Sequence, residues 1–251
     1  MEWEITLNKS LMDKVKSFFV GKKIGFIGTD KVGKSTLWKY MCEKIVYGNL
    51  ASTVAVDQEK GLIIRIQNNE DSKDKFLKIV NDAGGQDIYL ESKEKVFNQS
   101  DYIIYVLRSD IFLNKNLDYK TSLENAKTDK RKFTVNAVKT DFELFNKSKK
   151  KHSQFIIVGN YFSCFSDFSN SEFKNKDGNI PIYDKYLAKS GVPNFLDINY
   201  KNKYNRQLRR SISEVVKKNN DILKTARWSV GSIVTEKLAQ QLALDILSNF
   251  R

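Results

Sequence analysis

The chain has 251 residues, 41% of them hydrophobic and 12% aromatic, with a formal net charge of +13. That length accommodates one full α/β domain with appendages, or at most two small domains. No run approaches ~18 apolar residues, which excludes a spanning helix. Two cysteines in no metal or redox spacing and a single histidine argue against zinc chemistry and Ser-His-Asp catalysis.

The basic excess makes nucleic acid, anionic lipid or an acidic protein worth weighing as partners. The lysines are scattered, however, with only modest clusters at 127–132 and 147–151. They read as ordinary solvated surface, and a nucleic-acid partner is not expected. The chain does not open on a basic segment followed by an apolar run, so no secretory leader is expected either. Cys42 and Cys164 then read as buried thiols in a reducing, cytoplasmic setting.

In chain order, residues 1–20 hold an alternating piece (Trp3, Ile5, Leu7) and then a helical one at 10–20, with Leu11, Met12, Val15, Phe18 and Phe19 on one side. Residues 23–27 (Lys-Ile-Gly-Phe-Ile) read as a short buried strand, and 35–46 as a helix carrying Leu37, Tyr40, Met41 and Ile45. Strands follow at 54–56 and 61–67, a polar turn at 68–74, and further strands at 76–80, 102–107, 155–158 and 194–198. Helices are expected over 133–150 and 205–218. The clearest amphipathic helix is 233–250, with Val234, Leu238, Leu242, Ile246 and Phe250 four apart. Apolar strands separated by helices imply an α/β fold with a mostly parallel sheet covered on both faces.

Between the first buried strand and its helix lies Gly28-Thr-Asp-Lys-Val-Gly-Lys-Ser-Thr36. It fits G-x-x-x-x-G-K-[ST], the loop whose backbone N–H groups cradle nucleotide phosphates. Gly28, Asp30, Lys31, Val32, Gly33, Lys34, Ser35 and Thr36 are therefore the candidate phosphate-binding residues. The order strand, loop, helix sets the phosphates on the positive end of a helix dipole. Lys34 would reach the terminal phosphates and the Ser35 hydroxyl would ligate Mg²⁺. A glycine turn joining strand to helix would explain the glycines but not Lys34-Ser35 at that spacing.

Forty-eight residues after Lys34 comes Asp82-Ala-Gly-Gly-Gln-Asp87, at the end of a strand. A carboxylate there can hold Mg²⁺, directly or through water. The Gly85 N–H can meet a γ-phosphate, and Gln86 can orient an attacking water. Thr53 lies just before a strand, where its hydroxyl would complete the Mg²⁺ shell. With these motifs the sequence resembles the Ras-like small GTPases, and within them the Arf and Arf-like branch. Gly28-Thr-Asp-Lys-Val-Gly-Lys-Ser35 looks like that branch's G-L-D-x-x-G-K-[ST], Asp30 included, and Asp82–Gln86 looks like its D-x-G-G-Q. The resemblance implies a P-loop fold with a six-stranded, mostly parallel sheet, and a GTP/GDP switch in which Gln86, Lys34 and Gly85 are catalytic. It implies a domain over 22–219 with an insertion near 108–132, an N-terminal extension over 1–21 and a C-terminal helical extension over 220–251.

The sequence departs from that family at the base. A Ras-like domain ends its fifth strand in N-K-x-D; here the strand runs into Gly159-Asn160-Tyr161-Phe162-Ser163. Asn160 matches and Tyr161 could stack on a base, but Ser163 cannot accept guanine's two hydrogen bonds as an Asp does. Two bonds to a charged acceptor are worth ~3–6 kcal/mol in total, or about 10²–10⁴ in affinity. The last family motif, S-A-K after the sixth strand, is matched only loosely by Asn199-Tyr-Lys201.

The leading expectation is a Mg²⁺-dependent GTPase switch with slow turnover, since no arginine lies between Lys34 and Thr53 to act as a finger in cis. Such a switch implies a protein effector or an activating partner. A triphosphatase of relaxed base choice, or a non-hydrolysing nucleotide-bound interaction module, are the alternatives. Membrane contact through the 10–20 helix would be weak, because residue 2 is Glu rather than Gly and the chain ends without a prenylation box.

Overall fold

A computed structural model of the chain describes residues 2–7, 21–29, 32–43, 56–67, 72–83, 90–113, 130–148, 154–160, 198–216, 221–233 and 236–249. These form β1 (Glu2–Leu7), β2 (Lys22–Gly28), α1 (Lys34–Glu43), β3 (Val56–Gln67), β4 (Ser72–Ala83), α2 (Leu90–Gln99) and β5 (Tyr102–Arg108). There follow α3 (Ser109–Leu113), α4 (Lys130–Lys147), β6 (Gln154–Asn160), α5 (Ile198–Val215), α6 (Asp221–Thr225), β7 (Arg227–Val230) and α7 (Glu236–Ser248).

All described strands join one sheet in the order β1-β3-β4-β2-β5-β6-β7. The pairs β4–β2, β2–β5, β5–β6 and β6–β7 are parallel, whereas β1–β3 and β3–β4 are antiparallel. The α/β class and the mostly parallel sheet agree with the sequence reading. The strand count of six does not, because the alternating Glu2–Leu7 segment pairs along β3 from Glu2↔Gln67 to Leu7↔Leu62 and adds an edge.

A second correction concerns the strand expected at 194–198. Ile198 instead opens α5, residues 194–197 lie outside the described residues, and the strand beside β6 is β7. It lies in the stretch beyond 220 that the sequence assigned to a helical extension. The helix expected over 205–218 starts at Ile198 and ends at Val215, with Tyr204, Leu208 and Ile212 four apart on its buried side. Within the expected insertion, Ile111, Phe112 and Leu113 of α3 are core residues, and 130–132 already belong to α4. β3 and β4 are longer than their apolar runs, since antiparallel backbone pairing continues through the polar residues 57–60 and 72–75. The helix expected at 10–20 lies outside the described residues.

The two sheet faces are sorted by the period of two along each central strand. Ile103, Tyr105 and Leu107 of β5, with Phe155 and Ile157 of β6, join the core made with α2, α4 and α5. Ile104 and Val106, with Ile156 and Val158, join the core made with α1 and α7, where Leu37, Met41, Leu242 and Ile246 are buried. The C-terminal ends of β2, β5 and β6 therefore open at one rim between two helical layers, where ligands of open parallel sheets bind.

Candidate nucleotide site

The glycine loop stands at that rim. β2 is buried through Ile24, Phe26 and Ile27 and ends at Gly28, after which Thr29, Val32 and Gly33 lead into α1. The Leu37 N–H donates to the Gly33 carbonyl at 2.9 Å, which marks Gly33 as the residue that starts the helix. Its φ of +83° is left-handed backbone, and a Cβ there would lie 2.7 Å from both Asn160 Nδ2 and Ile233 Cδ1. At Gly28 a Cβ would stand 2.0 Å from the Val106 carbonyl oxygen of β5. Both glycines of the motif are thus required by sterics, independently of any ligand.

Lys34 is 6% exposed, and its Nζ donates to the Thr29 carbonyl at 3.3 Å, so the side chain folds back across its own loop. It sits in the first turn of α1, which carries no acidic residue. The ammonium and the positive end of the helix dipole are like-signed and adjacent, an arrangement that favours an anion against them. Ser35 and Thr36 are half-buried in the same turn. The Thr29 hydroxyl is buried with no hydrogen-bond partner among the described residues.

A second wall comes from β6. Asn160, 2% exposed, donates from Nδ2 to the Val32 carbonyl at 2.8 Å, and its own carbonyl accepts the Ser109 hydroxyl at 2.5 Å. Its Oδ1 is buried without a partner among the described residues. The Gly231 N–H donates to the Gly159 carbonyl at 2.9 Å, extending the β6–β7 pairing into Gly231-Ser232-Ile233. Ser232 is fully buried, and Ile233 reaches Gly33. The loop after the last parallel strand is therefore 231–233, not Asn199-Tyr-Lys201, which lies in the first turn of α5. Sequence reasoning missed Ser109 and this loop, although Gly231-Ser232 ahead of an amphipathic helix is a readable turn signal.

Asp82 lies near the end of β4, level with Phe26 of β2 two residues before Gly28. A carboxyl there and the Ser35 hydroxyl are oxygen donors of the kind Mg²⁺ takes, carried on neighbouring elements at one rim. The structure thus brings together Gly28, Val32, Gly33, Lys34, Ser35, Thr36 and Asn160, with Asp82 beside them in the sheet. Asp30, Lys31, Thr53, Gly85, Gln86 and Tyr161 lie outside the described residues. Tyr102, buried at the opposite end of β5, has its pKa raised by desolvation and then by the Asp101 charge.

The sequence profile of the family described as Ras of Complex, Roc, domain of DAPkinase matches residues 23–161, more than half of the chain. No curated protein matches. Among the described residues no helix is long and apolar enough to cross a membrane.

Proposed function

The chain belongs to the Roc family of Ras-like domains, and from that premise we propose that it is a Mg²⁺-dependent switch that binds and hydrolyses GTP. The observation that carries this reading is the loop from Gly28 to Lys34: left-handed backbone at Gly33 and a near-buried Lys34 at a helix start without acidic residues. That is a cradle for a polyanion, and its spacing matches one for nucleotide phosphates.

In this reading the phosphates rest on the N–H groups of 33–36, and Lys34 supplies a fixed positive charge to the transferring group. Ser35, Asp82 and Thr53 would hold Mg²⁺, whose charge neutralises the phosphate oxygens. Gly85 meets the γ-phosphate and Gln86 orients the water. Asp30 and the Gly84-Gly85-Gln86 run favour an Arf-like version of the phosphate half. The base lies toward Asn160, Tyr161 and the 231–233 loop. Turnover is slow without an arginine supplied by an activating partner, and the protein works in the cytoplasm with a protein effector.

A second reading, a triphosphatase of relaxed base choice, is favoured by one specific observation. Tyr161 and Ser163 stand where guanine-specific relatives carry Lys and Asp. Equilibrium titration of GTP, GDP, ATP and ADP with Mg²⁺, using Lys34→Ala as the blank, separates the two. A preference for GTP over ATP is expected. Equal or tighter ATP binding promotes the second reading, and failure of all four to bind removes both.

A further inference from the structure

Beneath the sheet face opposite α1, three polar groups meet inside the largest apolar core. The Lys93 ammonium of α2 and the Asp141 carboxylate of α4 are both completely buried, 2.7 Å apart. The Tyr105 hydroxyl of β5 donates to the other oxygen of Asp141 at 2.8 Å. Phe142 and Phe145 pack edge-on against the Tyr105 ring, and Phe97 stacks on Phe145 at 4.3 Å between ring centres. An ion pair in such a place is weak evidence for stability, because apolar groups of equal volume serve a core as well or better. What it supplies is direction: a charge has one acceptable partner, whereas a leucine packs in several ways.

The location gives that direction a use. Lys93 is in the first turn of α2, which begins at Leu90. β4 ends at Ala83, itself fully buried. Only residues 84–89 join them, and these include Gly85 and Gln86. The upstream end of that bridge is held by the β4 ladder to β2 and β3. We propose that the buried Lys93–Asp141–Tyr105 cluster is the downstream anchor: it fixes the first turn of α2 and so sets where Gln86 stands. These are positioning residues, and the inference rests on the hydrolytic reading above for its effect on rate.

The test uses the full-length triple variant Lys93→Met, Tyr105→Phe, Asp141→Leu, which removes all three polar groups of the cluster together, so that none of the three is left facing a missing partner among them. Tyr105→Phe alone, which keeps the ion pair, is the control. Amide hydrogen exchange without nucleotide is the first readout. Exchange at 94–97, whose N–H groups donate to the first-turn carbonyls of 90–93, is expected to rise at least about tenfold while β5 and the centre of α4 keep their protection, as local opening does. Unchanged exchange at 94–97 overturns the anchor whatever the enzyme does, and so does loss of protection throughout the core. Single-turnover GTP hydrolysis is the second readout: a fall of about tenfold or more is expected from misplacement alone, with GTP affinity held within about threefold and melting temperature not lowered. Hydrolysis equal to wild type overturns the positioning role. A wild type that hydrolyses nothing sinks the hydrolytic reading instead, and the exchange readout then decides the anchor by itself.

Discussion

Asn160 and Val32 are 128 residues apart in sequence and joined by one buried hydrogen bond, Nδ2 to carbonyl at 2.8 Å. That bond ties the end of β6 to the loop between β2 and α1, and in the proposed site it would couple the base end to the phosphate end. Asn160→Ala leaves the Val32 carbonyl without this donor in a buried place, at a cost of about 1–3 kcal/mol. The melting temperature should fall by several degrees, and affinity for GTP and GDP should fall together. A variant that melts lower yet binds normally would show that the brace serves the fold alone.

Lys34→Ala separates ligand binding from stability. Lys34 is 6% exposed and its Nζ donates to the Thr29 carbonyl at 3.3 Å, so removing the side chain costs the nucleotide-free protein about 1 kcal/mol or more. The expected outcome is a melting temperature lowered by a few degrees without nucleotide. Affinity for triphosphate should fall by roughly 10–10²-fold, the value of a charge-assisted hydrogen bond. Differential scanning calorimetry with and without GTP measures both; equal shifts on adding GTP to wild type and mutant would remove Lys34 from the site.

What was legible in the sequence follows a simple division. Gly28, Gly33, Lys34 and Asn160 could be read because local spacing fixes their geometry: a left-handed turn, a helix start, a strand end. The central strands could be read because β5 and β6 are buried on both faces and are nearly continuous apolar runs. β7 could not, since it has four residues, Arg-Trp-Ser-Val, and its place is given by pairing with β6 rather than by its own pattern. The start of α5 was hidden because Asn199, Lys201, Asn202 and Lys203 dilute the apolar stripe until Tyr204. Lys93 and Asp141 were hidden for another reason. They are 48 residues apart on polar-looking helices, and a charge that tertiary packing will bury is spelled like one that water will cover.

α7 gives a prediction about the edge of the folded unit. Leu242 and Ile246 are fully buried in the core with α1, and Leu242 also closes over Gly231. Leu242→Ala should destabilise by about 2–5 kcal/mol, read as a lowered denaturation midpoint with unchanged slope. Deleting 228–251 removes most of β7 together with α7 and leaves β6 with an open edge, so the truncated chain should be insoluble. A soluble, monomeric truncation that binds nucleotide would mean that the sheet closes adequately at β6.

Base choice offers a gain-of-function test, which is more demanding than a loss. Asn160 is in place at the end of β6, held to the phosphate loop, and the two residues that would discriminate guanine follow within three positions as Tyr161 and Ser163. Restoring the pattern with Tyr161→Lys and Ser163→Asp supplies a carboxylate acceptor for two hydrogen bonds, worth ~3–6 kcal/mol together. Guanine presents two donors to it, whereas adenine does not, so the benefit falls on one base alone. The ratio of GTP to ATP affinity should therefore rise in the double variant, by up to about 10²–10⁴, with GDP following GTP because the phosphates are untouched. Competition titrations of both nucleotides on wild type and variant measure it. A ratio that does not move would mean that the chain after Asn160 does not run along the base. Asp167, four residues beyond Ser163, then becomes the acceptor to test, by Asp167→Asn in the wild-type background, where a fall in the GTP preference would identify it.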